Sequence, residues 1–157
     1  MPTTGTAPTS TTAPGSGPCS TTALRVTLES EQGAAGTGIY EFLAVNAGSA
    51  TCQAGGYFGV SIYDQAGQLF TATDSRSPTT YTGAGVQHIT LSPEDAMTFQ
   101  VGIGETPTGG ATTCPLIGAF HLIPPNDTGF VQVSEPASAG YSYCGPDGLE
   151  VNPNQPA

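Results

Sequence analysis

Residues Gly38 to Phe70 read GIYEFLAVNAGSATCQAGGYFGVSIYDQAGQLF, and this stretch decides the fold class. Ile39, Phe42 and Val45, with Tyr40 and Leu43 between them, form an apolar run rich in aromatic and branched residues, which suits a strand buried on at least one face. Asn46-Ala47-Gly48-Ser49 ends that strand, because Asn bonds its own turn and Gly supplies positive φ. Cys52 and the pair Gly55-Gly56 follow. In Tyr57 to Tyr63, residues Phe58, Val60 and Ile62 share one face by period-two alternation. Asp64-Gln65-Ala66-Gly67 is a turn, and Leu69-Phe70 opens another strand. Two strands joined through polar turns form the centre of an antiparallel β-sandwich.

The same alternation recurs on both sides. Upstream, Leu24, Val26 and Leu28 point inward and Arg25, Thr27 and Glu29 outward, with Glu31 to Gly36 read as a connection. Downstream, strands are expected at Val86–Leu91, Met97–Ile103, Gly118–Ile123, Gly129–Val133 and Leu149–Val151. Ser92-Pro93-Glu94-Asp95 is a turn with proline preset at its second position. The 22 glycines and 14 prolines argue against long helices, since each carries a helix penalty of about 1 and about 3 kcal/mol respectively. Short strands separated by turn chemistry predict an immunoglobulin-like sandwich. The chain has no tryptophan, which excludes an antibody-type core.

Residues 1–18 contain only Thr, Pro, Gly, Ser and Ala after Met1 and lack the apolar surface to offset ordering entropy, so they read as a disordered linker or stalk. The domain itself spans 19–153, and the polar end, 154–157, is expected to fray.

Two arginines, no lysine and 12 acids give a net charge of -10. A nucleic-acid partner needs clustered cations to displace counterions, and anionic lipid headgroups need the same, so neither is expected. No apolar run approaches the roughly 20 residues of a membrane-spanning helix. Met1 is followed at once by Pro-Thr-Thr, without the basic and apolar regions of a signal peptide. The expectation is therefore an exported chain whose signal has been removed.

Cys19, Cys52, Cys114 and Cys144 form no C-x-x-C pair, which argues against a thiolate metal site. An even count in a small β-rich chain predicts two disulfides and an oxidising compartment. Three connectivities exist. Antiparallel pairing brings Cys19 and Cys52 to the same end of a hairpin, and likewise Cys114 and Cys144, so these two pairs are favoured.

The motifs N-x-G (Asn46 to Gly48), C-x-x-x-G-Y-x-G-V (Cys52 to Val60), D-x-x-G (Asp64 to Gly67) and L-x-P (Leu91 to Pro93), with the third and fourth cysteines, resemble a family of secreted actinobacterial proteins and lipoproteins of unknown function. Phe58 stands where that family tends to have proline, and Glu94 where it tends to have glycine. The resemblance covers about Cys19 to Pro153. It implies export, attachment near the cell envelope and a Ser/Thr/Pro-rich stalk, with an upstream lipid anchor compatible with it. It implies no catalytic residue.

No chemistry stands out beside it. His88 and His121 are each placed in a strand, facing solvent. There is no G-x-S-x-G elbow, and Glu94-Asp95 diverge in a turn. Asp64, Asp74, Asp127 and Asp147 fall in loops but form no calcium-binding run. Asn126-Asp127-Thr128 matches a glycosylation sequon. Tyr141 and Tyr143 share parity and form the candidate binding patch. The resulting expectation is a monomeric, non-enzymatic binding domain at the cell envelope, with no metal or cofactor and with an envelope protein or glycan as partner. The alternatives are a carrier for a sugar or metal and, third, a hydrolase.

Overall fold

A computed structural model describes residues 17–34, 37–71, 75–76, 86–104, 116–134 and 149–157. Among them there is no helix, and so none long and apolar enough to cross a membrane. In chain order the strands are β1 (Leu24–Ala34), β2 (Thr37–Asn46), β3 (Cys52–Gln53), β4 (Gly59–Asp64), β5 (Leu69–Thr71), β6 (Ser75–Arg76), β7 (Thr90–Leu91), β8 (Ala96–Gly104), β9 (Ile117–Ile123), β10 (Val131–Ser134), β11 (Glu150–Val151) and β12 (Gln155–Pro156). One sheet runs β1-β2-β8-β11-β6, with β12 also on β8; a second runs β10-β9-β4-β5; β3 and β7 make a short ribbon. Among the described strands pairing is antiparallel except at β11 and β6, where Glu150 and Val151 lie parallel to Ser75 and Arg76, and an isolated parallel bridge joins Pro18 to Gln53.

The two larger sheets share one core. On β2 the buried set is Tyr40, Phe42 and Ala44, while Ile39, Leu43 and Val45 are half-buried on the opposite face. On β8 it is Met97, Phe99, Val101 and Ile103, the set that alternation predicts. Phe42 stacks on its cross-strand partner Phe99. The aromatic bridge to the second sheet is Phe120 of β9, whose ring meets Tyr40 at 5.3 Å and Phe42 edge-on at 5.2 Å. Such tilted contacts suit the ring quadrupoles. Phe58 is fully buried and stacks on Phe99 at 4.2 Å, so it fills the core.

Three local readings change. First, Glu31 to Gly36 is not simply a connection: β1 continues to Ala34, and Glu31, Gln32 and Gly33 pair with Tyr40, Ile39 and Gly38. A register shift between Leu28 and Ser30 moves the alternation out of phase, which hides the continuation from a parity count. Second, only Thr90–Leu91 of the expected strand Val86–Leu91 is paired, with Gln53 and Cys52. Third, the chain end from Asn152 is not frayed. Asn152 and Asn154 are fully buried, Asn154 donates from N–H to Gly56 O and from Nδ2 to Ala54 O, and Gln155 and Pro156 pair with Thr98 and Met97. Hydrogen bonds hold this segment, so its polar composition gives no sign of it.

Asn46 is the junction of the ribbon with the large sheet. Its Nδ2 donates to Ala50 O and Leu91 O, both at 2.9 Å, and its Oδ1 accepts Gly48 N–H. Its backbone N–H donates to Asp95 O, and its carbonyl accepts Glu94 N–H. A buried amide with its donors and acceptor paired in this way avoids the desolvation penalty of an unpaired polar group. Cys19 and Cys52 form a disulfide across 33 residues, with Cα atoms 4.9 Å apart. It sits where Cys19 and Gln53 also bond through the backbone. Cys114 and Cys144 lie outside the described residues.

Candidate binding face

The outer face of the four-stranded sheet carries a row of side chains, one from each strand or its flank. Leu69 in β5 is the cross-strand partner of Tyr63 in β4, which puts both on one side of the sheet. The Tyr63 ring lies 4.1 Å from the His121 imidazole of β9, tilted by 35°. The same imidazole stacks on Phe130, just ahead of β10, at 4.1 Å and 8°. Because β9 lies between β4 and β10, Tyr63 and Phe130 cover opposite faces of the imidazole. The row runs obliquely across the sheet, because Tyr63 is level with Ala119 while Phe130 lies one residue beyond the Val131–Leu122 pair.

Period-two geometry places these residues. Phe120 and Leu122 of β9 point into the core, so His121 points out. Val60 and Ile62 of β4 do likewise, which turns Tyr63 outward. Four large apolar residues are well exposed among the described residues: Leu69, Val86, Leu116 and Phe130. All but Val86 lie in or directly beside the four-stranded sheet, so exposed apolar surface is concentrated there.

Polar groups hold the row. His121 Nε2 and Gln132 Oε1 are 3.1 Å apart, and Gln132 Nε2 donates toward Ser134 Oγ. An amide oxygen only accepts, so in this arrangement the imidazole donates from Nε2 to Gln132 Oε1. Beside the row, an open depression of about 380 Å³ is bounded by Tyr63, Asp64, Gly118, His121 and Gln132. Its floor depends on Gly118, where the pairing of β9 with β4 shifts register between Ile117 and Ala119. A side chain at Gly118 would collide with the Asp64 carbonyl oxygen and come within 2.8 Å of Gln65 Cα. The absence of a Cβ thus lets the β4–β5 turn close over β9.

The acids expected in loops serve the backbone. Asp64 Oδ1 accepts N–H of Ala66 and Gln68. Asp127 gathers N–H from Thr21, Thr128 and Gly129. Those backbone donors, Gly129 first, hold its carboxyl below the usual aspartate range. No group of three or more His, Cys, Asp or Glu able to hold a metal occurs among the described residues. His88 is exposed and outside any strand. It borders a different depression, with Asp95 and Pro156, from the one beside His121. Tyr141 and Tyr143 lie outside the described residues. Sequence alone reads His121 as a solvent-facing strand histidine and does not single out Phe130. The available signal was the shared outward parity of Tyr63 and His121.

The chain is thus an all-β, disulfide-linked domain of antiparallel sheets with an exposed aromatic row. It belongs to the family described as "Domain of unknown function (DUF4232)", whose model matches residues 19–155. No curated protein and no solved structure matches the chain.

Proposed function

We propose that this domain is a non-enzymatic binding module of an exported, envelope-facing protein, and that it docks a macromolecular partner on the row formed by Leu69, Tyr63, His121 and Phe130. The observation that carries the reading is that row. It leaves Phe130 52% and Leu69 47% exposed, Leu69 within a paired strand and Phe130 directly ahead of one. Contiguous apolar exposure of this kind marks interaction sites more often than ordinary surface, and aromatic residues are enriched at interface centres. The buried Cys19–Cys52 bond is compatible with an oxidising compartment. The two facing sheets are read as an immunoglobulin-like sandwich, and the Thr/Pro-rich residues 1–18 as its stalk, on composition.

The test is affinity capture from detergent-solubilised envelope of the source cell, using the oxidised protein and two variants. Phe130→Asp places a charge in the row; Val86→Asp places one at an exposed site outside the four-stranded sheet. The reading expects a partner recovered by wild type and Val86→Asp and lost with Phe130→Asp. Equal recovery by all three would remove the row from the interaction.

A further inference from the structure

We infer that the open depression beside the row is a subsite for one neutral sugar unit, so that the partner docking on this face is a glycan; this rests on the docking reading above. Sheet register builds the depression. Ala119 pairs with Tyr63 on one side and with Ser134 on the other, so the three lie abreast with the smallest side chain in the middle. Phe120 points into the core, which turns Ala119 outward. Tyr63 and Ser134 are two interstrand spacings apart, about 10 Å, and between them the β9 backbone is covered by a methyl group alone. His121 and Gln132, a cross-strand pair, lie two residues along at one end. Gly118 and the turn from Asp64 to Gly67 close the other end. The recess measures about 380 Å³, within the range that holds small ligands.

The groups around the recess set the ligand class. The Tyr63 phenol, the Ser134 hydroxyl and the amides of Gln65 and Gln132 each donate and accept, while the Asp64 carboxylate accepts. Asp64 Oδ1 takes the N–H of Ala66 and Gln68, and a carboxylate has acceptor sites beyond those two. Mixed donors and acceptors fit hydroxyl groups, which do both, better than a ligand of donors alone or of acceptors alone. Tyr63 adds an aromatic ring at the edge of the recess, and the negative face of such a ring attracts the C–H groups of a sugar. His121 braces that ring at 4.1 Å.

Charge narrows the class to neutral ligands. The chain has no lysine, and its two arginines, Arg25 and Arg76, lie in β1 and β6 of the other large sheet. Among the described residues the recess therefore holds no fixed cation for a phosphate or carboxylate, and the net charge of -10 repels both. Asp64 is the only acid among the described residues that line it, too few ligands for a metal ion. A purely apolar ligand would cover these polar groups without pairing them.

The probes are the methyl glycosides of glucose, galactose, mannose and N-acetylglucosamine, which sample the configurations of the second and fourth ring carbons and an N-acetyl group. Methylguanidinium chloride is the cationic comparison. Each is titrated to high millimolar concentration into the full oxidised chain. Backbone amide shifts in NMR follow binding and also report whether each variant keeps its fold. The expected result is a saturable shift with at least one glycoside, confined to residues around Tyr63, Ala119 and Gln132. Ala119→Leu fills the floor and should weaken that binding at least tenfold. Gln132→Ala, at an exposed position, should weaken it at least threefold and carries the test should Ala119→Leu not fold. Val86→Asp, outside the four-stranded sheet, should change it less than twofold.

No saturable shift with any of the four glycosides would overturn the inference, as would wild-type affinity in both Ala119→Leu and Gln132→Ala. Tighter binding of methylguanidinium than of every glycoside would make the recess a cation site and overturn it too. If no glycoside binds while capture still depends on Phe130, only this inference falls. If capture is indifferent to Phe130 while a glycoside binds the recess, the docking reading falls and the sugar subsite remains.

Discussion

Glu94 adopts a left-handed backbone, with φ 71°, in the turn where Asp95 N–H bonds to Ser92 O. A residue with a Cβ pays roughly 1–2 kcal/mol for that conformation, whereas glycine adopts it freely. Glycine is therefore physically favoured at this position. Replacing Glu94 by Gly should raise the unfolding free energy by about 0.5–1 kcal/mol, the relief of strain exceeding the added freedom of the unfolded chain. Urea denaturation of the two proteins measures this, and a loss of stability would show that the Glu94 side chain contributes more than its backbone costs. Asp127 makes a prediction with a sign in pH. Its folded carboxyl lies below the ordinary value because three backbone N–H groups favour the ionised form. The stabilisation is complete above the unfolded value of about 3.9 and disappears as pH falls through the lower folded value. Wild type should therefore exceed Asp127→Asn in stability by a constant margin from pH 7 to about 5, shrinking below about 4. Melting curves from pH 7 to 2 that show a pH-independent margin would contradict it.

At the level of elements, the close passage of the β4–β5 turn over β9 depends on one missing side chain. Gly118→Ala places a methyl group against backbone atoms of Asp64 and Gln65, which cannot rotate away. Overpacking of that kind costs about 1–3 kcal/mol. The expected outcome is a lower denaturation midpoint with an unchanged slope; an unaltered midpoint would mean that the turn moves without penalty. Sequence patterns were informative to different degrees here. Met97, Phe99, Val101 and Ile103, and likewise Phe58, Val60 and Ile62, were legible because strict alternation survives along strands with one buried face. The second half of β1 was not legible, because a register shift near Ser30 breaks the phase. The last segment was not legible either: Asn152 and Asn154 are held by hydrogen bonds to residues far away in the chain. The aromatic row was half legible. Parity turned Tyr63 and His121 outward, but their meeting across β4 and β9, with Phe130 beyond, is a product of sheet order.

For the whole molecule, the Cys19–Cys52 bond anchors the start of the domain to the ribbon that Asn46 ties to the large sheet. Closing a loop of this length restricts the unfolded chain by about 3–4 kcal/mol in the chain-entropy account. Replacing both cysteines by serine should lower stability by about that amount, read from denaturation under oxidising conditions; a change below about 1 kcal/mol would mean that the unfolded chain is already compact there. Charge is also distributed at this scale: both arginines belong to one sheet and the exposed aromatic row to the other.

The position of β8 has a consequence in time. It lies in the middle of the larger sheet, with β2 on one side, while the partners on its other side, β11 and β12, come from residues 150–156. In a chain made from its N-terminus, this central strand stays half-paired until residues 150–156 are available. The larger sheet is therefore completed late in the order of synthesis, by pairing between segments about 50 residues apart. Until then β8 exposes an unpaired edge, the kind of surface that holding chaperones protect.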